Sequence, residues 1–152
     1  LELCVPLGMF GNIKILIDPL QRYIHYEQAY LAGELDGAFS QFTVQELRMV
    51  VNSDASDEQL VWCRESLKNY RPQHVLTDDI QFRYCNIVKA DVPYMNPVWY
   101  KEPRSYDQIL SGGGKCGPRA WYGRFVCKAF GIPVWGVRQT GHAAMVRWTS
   151  QS

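Results

Sequence analysis

Residues 111–148 read SGGGKCGPRAWYGRFVCKAFGIPVWGVRQTGHAAMVRW, and the order of elements in this stretch decides the fold. Pro118 suits the first turn of a helix. Arg119 to Phe130 continues that helix, with Ala120, Trp121, Phe125 and Ala129 near one stripe. Gly131 stands where a helix end needs a left-handed residue. Val134, Trp135 and Val137 mark a strand from Pro133 to Gln139. Thr140-Gly141 predicts a turn, and His142 to Trp148 a second strand. Ser111 to Pro118 reads as a flexible approach, so the order is glycine loop, Cys, helix, strand, turn, His, strand.

That order places Cys116 where a helix begins. Backbone N–H groups there lack helical partners, and the positive end of the dipole favours a thiolate. Lys115 beside it and Arg119 one turn later act in the same sense. Gly114 and Gly117 allow close approach of a substrate, and the local N–H groups form a candidate oxyanion hole. Cys127, eleven residues on, lies about three turns away between apolar neighbours and reads as core. His142 follows a turn glycine at the start of a strand that a hairpin brings back towards the helix N-terminus, where its imidazole is a candidate base. His25 and His74 have no comparable partner in the sequence. Trp99, Tyr100 and Trp121 are candidate walls of a cleft.

The segment Gly114-Lys-Cys-Gly, then Cys127-Lys-Ala-Phe-Gly-Ile-Pro-Val-Trp-Gly-Val, then Gly141-His142 resembles the transglutaminase-like superfamily. That group includes bacterial cysteine proteases, peptide N-glycanases and true transglutaminases. Ala129-Phe-Gly-Ile-Pro133 is the most specific match, because it fixes the distance from the Cys to the helix end. The resemblance covers about 45 residues, from Tyr106 to Ser150. It implies an α+β, papain-type core in which the helix bearing Cys116 packs on an antiparallel sheet bearing His142. It also implies thiol-dependent acyl transfer or hydrolysis on a protein or peptide amide, with no metal and no cofactor. The chain departs from the family pattern in three places. No Asp, Asn or Glu follows Asp107 to orient the imidazole. Position 144 is Ala, not the frequent aromatic, and the Cys–His spacing is short. The expectation is therefore a core, residues 105–152, cut short at its C-terminus. The alternative is a catalytically inactive domain serving as an interaction subunit of a larger assembly.

The remainder is read as the N-terminal, mainly helical part of the same domain, residues 1–104. Leu1 to Ile17 suits a strand or buried connector, and Pro19 to Ala32 a helix before the glycines at 33 and 37. Thr43-Val-Gln-Glu46 and Ser56-Asp-Glu-Gln59 are reciprocal capping signatures that open two helices. Phe82 to Val88 reads as a short strand. Asp91 to Pro103 reads as a loop carrying Tyr94, Trp99 and Tyr100.

At 152 residues with 47% hydrophobic and 20% charged side chains, the chain can bury a core and is not a disordered polymer. It has no apolar run long enough for a membrane span, and its start lacks a signal-peptide layout. Five scattered cysteines without zinc-ligand spacing favour a reducing compartment over a disulfide framework or a metal site. Charge is divided. Residues 1–114 hold ten cations against fifteen acids, and residues 115–152 hold six cations and no acid. Either the halves neutralise one another or Cys116 sits in an electropositive setting. A net charge of +1 argues against nucleic acid. The partners expected are a protein or peptide substrate, or the subunits of an assembly.

Overall fold

In the computed structural model, which describes residues 17–81, 83–84, 86–98 and 105–149, the helix that opens at Cys116 is the hub of a mixed α+β fold. Among the described residues, six helices lead up to the glycine loop, the first five being α1 Pro19–Leu31, α2 Val44–Val51, α3 Asp57–Tyr70, α4 Pro72–Val75 and α5 Asn86–Ala90. A 3₁₀ turn, Phe39–Gln41, separates α1 from α2. Then come α6 Tyr106–Gly112, α7 Cys116–Ala129, and the hairpin of β1 Val134–Gln139 with β2 His142–Arg147. None of these helices is long and apolar enough to cross a membrane.

The ends of these elements follow local chemistry. Asp18 caps α1 by accepting from the Leu20 N–H at 2.9 Å, with Pro19 at the first position. Both capping boxes form: Thr43 with Glu46 on α2, and Ser56 with Gln59 on α3. The Thr43 bonds hold the Glu46 carboxyl below its usual range. At the start of α6 the Ser105 N–H donates to Gln108 Oε1 at 3.1 Å, one half of such a box. At the far end of α7, Gly131 takes φ +77, which lets its N–H reach the Lys128 carbonyl and that of Ile132 reach Cys127. This Schellman closure turns the chain into β1.

Two expectations change, and a third falls almost wholly outside the described residues. The predicted strand from Phe82 to Val88 is not formed: Asn86–Ala90 is helix. Among the described residues there, Tyr84 and Ile87 are buried, with Val88 beside the core, which is helical spacing and not alternation. Tyr84 itself sits at φ +64, costly for a bulky side chain. It is held by its N–H to the His74 carbonyl, its hydroxyl to Asp36 Oδ2 at 2.7 Å, and its ring on Phe130. The glycine run is not a flexible approach either: Ser111 and Gly112 end α6, and residues 112–114 are buried. The expected connector at Leu1 to Ile17 falls, apart from Ile17, outside the described residues.

α7 is buried from Tyr122 to Ala129 apart from Arg124, and packs against α2, α3, α5, α6 and both strands. Leu60, Cys63 and Leu67 of α3, Ile87, Ile109, Phe125, Val126, Ile132 and Val134 make one core. Tyr106 stacks between Trp121 at 4.3 Å and Phe125 at 3.6 Å, while its hydroxyl donates to Asp54.

Candidate active site

Cys116 is the first residue of α7 and is partly exposed. The loop before it is clamped. Gly114 donates its N–H to the Pro93 carbonyl at 3.0 Å and pairs with Tyr94 in an isolated parallel bridge. Gly113, at φ +71, leaves no room for a side chain: a Cβ there would stand 2.7 Å from the Pro93 oxygen. The Gly114 N–H is therefore spent. The N–H groups of Cys116 and Gly117, the first two helical positions, have no preceding helical carbonyl to meet and no hydrogen-bond partner among the described residues. A Cβ on Gly117 would meet nothing within 4 Å, so that side is open.

The cations divide. Lys115 is exposed at the N-cap and makes no capping bond. Arg119 turns to the Val92 carbonyl and lies under the Tyr94 ring, 5.7 Å from its centroid. It ties α7 to the segment before the loop. Tyr94, Met95 and Val98 form an exposed apolar strip beside the glycines. Trp121 is not a wall here: it lies about 140° round the helix from Cys116, with its ring on Tyr106 and its Nε1–H bound to Asp54 at 2.6 Å. Trp99 and Tyr100 lie outside the described residues.

The hairpin fixes where His142 stands. β1 leaves the C-terminal end of α7 and β2 pairs antiparallel with it, Gly136 opposite Met145 and Gln139 opposite His142. β2 therefore runs in the same sense as α7, starting at the Cys116 end. Met145 lies on Gly123. Seven residues back from Gly123 is Cys116, about 10 Å along the helix and about 20° round it. Three residues back from Met145 is His142, about 10 Å along the strand. The two candidate residues are thus at one level, with Cys116 on the face of α7 that meets the sheet.

Alternation acts against the pair. Met145 faces α7, so Ala143 and Arg147 share that face and His142, Ala144 and Val146 point the other way. His142 is exposed, and among the described residues neither its ring nor the Cys116 thiol has a hydrogen-bond partner. No group of three or more His, Cys, Asp or Glu that could hold a metal lies among the described residues. Cys63 and Cys127 are buried, and burial pushes the Cys63 thiol up.

A second cluster lies at the other end of α7, and sequence reading missed it. Arg22, His25 and Arg64 are buried, and both other histidines have partners: His25 faces Arg64 at 3.3 Å, and His74 stands 3.8 Å from Asp91. A cavity of about 50 Å³ beside the turn after α7 is lined by Asp36, Arg83, Tyr84, Ile132, Arg147 and Trp148. Its arginines are committed, Arg147 to the Ile80 and Gln81 carbonyls and Arg83 to Asp36 and the Thr77 carbonyl. Compared with protein-family models, with curated proteins and with solved structures, the chain matches none.

Proposed function

We propose that this is a transglutaminase-like domain in which Cys116 carries out acyl transfer or hydrolysis on a protein or peptide amide, with His142 as its base. What supports the reading is one relationship: a partly exposed thiol opens α7 on the face meeting the hairpin, level with the first residue of β2. In the reaction, His142 takes the thiol proton and the sulfur adds to the amide carbonyl. The N–H groups of Cys116 and Gly117 receive the oxyanion. The tetrahedral adduct collapses to a thioester as the amine leaves with a proton from the imidazolium. Water or a second amine then attacks the thioester and restores the thiol.

The reading requires His142 to turn across the end of β2 to the helix side. Its place at the strand end, after Gly141 at φ +72 with open space round it, allows that movement. A second reading, an inactive domain of the same kind acting as an assembly subunit, is favoured by the outward direction of His142. It is also favoured by the exposed cross-strand pair Trp135 and Val146 on the same face.

The deciding experiment is the rate of Cys116 alkylation by iodoacetamide against pH, in the native protein and in His142→Ala. A working pair makes the substitution slow alkylation at pH 7 by about tenfold or more, because the thiolate is the reacting species. Equal rates in the two proteins would remove the base and leave the assembly reading.

A further inference from the structure

α1 is amphipathic in the reverse sense. Its buried face carries Arg22, His25, Tyr26 and Ala29, while Leu20, Tyr23, Tyr30 and Leu31 are exposed, Leu31 by 78%. The helix is therefore held by polar contacts as well as by the buried Tyr26 ring and Ala29. Arg22 donates to the Val51 and Ala55 carbonyls at 3.3 and 2.6 Å. The Tyr26 hydroxyl donates to the Lys128 carbonyl at 3.0 Å and reaches that of Val50 at 3.4 Å. Arg64 of α3 donates from Nη1 to the Ala129 carbonyl at 2.9 Å and meets His25 Nε2 with the same nitrogen. Except for Ala55, the backbone acceptors are C-terminal carbonyls of α2 and α7, past the end of the helical ladder; those of Val51 and Lys128 also accept from the Ser53 and Gly131 N–H groups. Cationic and phenolic donors suit them.

His25 is the weak point of this arrangement. A guanidinium only donates, so His25 Nε2 accepts and the ring is neutral with its proton on Nδ1. A proton added at Nε2 would remove the acceptor and set a second cation 3.3 Å from the first. The charged groups around the ring are Arg22 on α1, Arg64, Asp57 and Glu58 on α3, and Glu34 in the turn after α1. α7 offers the Lys128 amine at the edge of the cluster, and α2 offers carbonyls. Glu34 and Asp57 are occupied, by Arg64 at 2.9 Å and Arg22 at 2.6 Å; the latter pair is close in distance but not aligned as a hydrogen bond.

We infer that α1 is an acid-released clasp. Protonation of His25 detaches it from α3 and from the C-terminal ends of α2 and α7, while the α3–α7 core and the hairpin stay folded. Burial, then Arg64, brings the attached ring down from 6.5 to about 4. The lowered value fixes the sign: attachment is intact above pH 6.5 and is lost as pH falls through about 4. Each unit of difference is a tenfold factor, so the detached-to-attached ratio rises by up to about 300-fold, of which about 20-fold comes between pH 7 and 5.

Hydrogen exchange resolved by peptide, corrected for intrinsic rate and read at pH 7 and 5, tests this on the full chain and on His25→Gln. The amide of Gln can still accept from Arg64. The expected result is an opening constant for residues 19–31 that rises about 20-fold in the native chain and stays flat in the variant. Residues 122–126 keep their protection in both. The clasp is overturned if residues 19–31 and 122–126 open together, which is global acid unfolding, or if the variant shows the same rise. Should His25→Gln fail to fold, the NMR titration of the His25 ring in the native chain decides. A midpoint well below 6.5 while α1 is attached supports the clasp, and one near 6.5 sinks it.

Discussion

Gly123 of α7 lies directly against Met145 of β2: a Cβ on the glycine would stand 2.5 Å from the sulfur and 3.1 Å from Val88 Cγ2. This contact sets the height of the hairpin on the helix, and through it the level of His142 relative to Cys116. A helix-interior glycine costs about 1 kcal/mol against alanine, so its presence here is a packing requirement. Gly123→Val is expected to lower stability by about 1–3 kcal/mol through overpacking. Met145→Ala in the same chain should recover part of that loss, because the thioether is what the new methyls strike. Denaturant unfolding of the double-mutant cycle measures the coupling, and additive losses would mean that the two residues do not press on each other.

The loop before Cys116 gives a paired test. Gly113 combines φ +71 with a Cβ position 2.7 Å from a backbone oxygen, which cannot move aside cheaply, whereas Gly117 has open space. Gly113→Ala should therefore cost about 2 kcal/mol or more. Gly117→Ala should leave the melting temperature nearly unchanged. Equal effects would show that the clamp between Pro93 and the glycine loop is not present in solution.

The thiols should separate by access. Cys63 and Cys127 are buried at 1% and 0% exposure, while Cys116 is partly exposed. Brief labelling of the native protein with iodoacetamide, followed by peptide mass spectrometry, should modify Cys116 at least about tenfold faster than Cys63 or Cys127. Labelling of Cys127 at a similar rate would require α7 to open readily.

Much of this arrangement is legible in the sequence where a local signal has a local cause. The capping boxes at Thr43 and Ser56, the glycine closure at Gly131 and the Thr140–Gly141 turn all depend on neighbours in the chain, and all form. The helix–hairpin order around Cys116 follows from them. The side to which His142 points depends instead on which face of β2 meets α7, and that is set by Met145 finding Gly123 across a gap of twenty-two residues. The charged cluster was hidden for the same kind of reason. On α1 the apolar residues Leu20, Tyr23, Tyr30 and Leu31 indicate the outward face, against the usual rule. The C-terminal carbonyls of α2 and α7 are what Arg22 and Tyr26 turn inward to meet. No pattern within α1 records those distant carbonyls.

Lys128 tests how that end of α7 is held. Its side chain is buried, and burial, then Arg124, lowers its amine from 10.5 to about 8. The charged form is thus disfavoured in the folded chain. Between pH 8 and 10.5 the unfolded chain holds more protons than the folded one, so this residue makes stability rise with pH across that window. Below pH 8 the full cost is present, about 3 kcal/mol at most for such a shift. Lys128→Met keeps the stem and the backbone carbonyl that Tyr26 caps, and removes the charge. It is expected to raise stability at pH 7 by about 1–3 kcal/mol and to flatten the dependence between pH 8 and 10. Tyr26, whose hydroxyl burial pushes up to about 12, loses stability only as pH rises above 10, so the two effects are separable. Chemical denaturation at pH 7, 8, 9 and 10 measures the Lys128 effect below the range in which Tyr26 titrates, and a variant less stable than the native chain at pH 7 would mean that the Lys128 ammonium has a compensating partner.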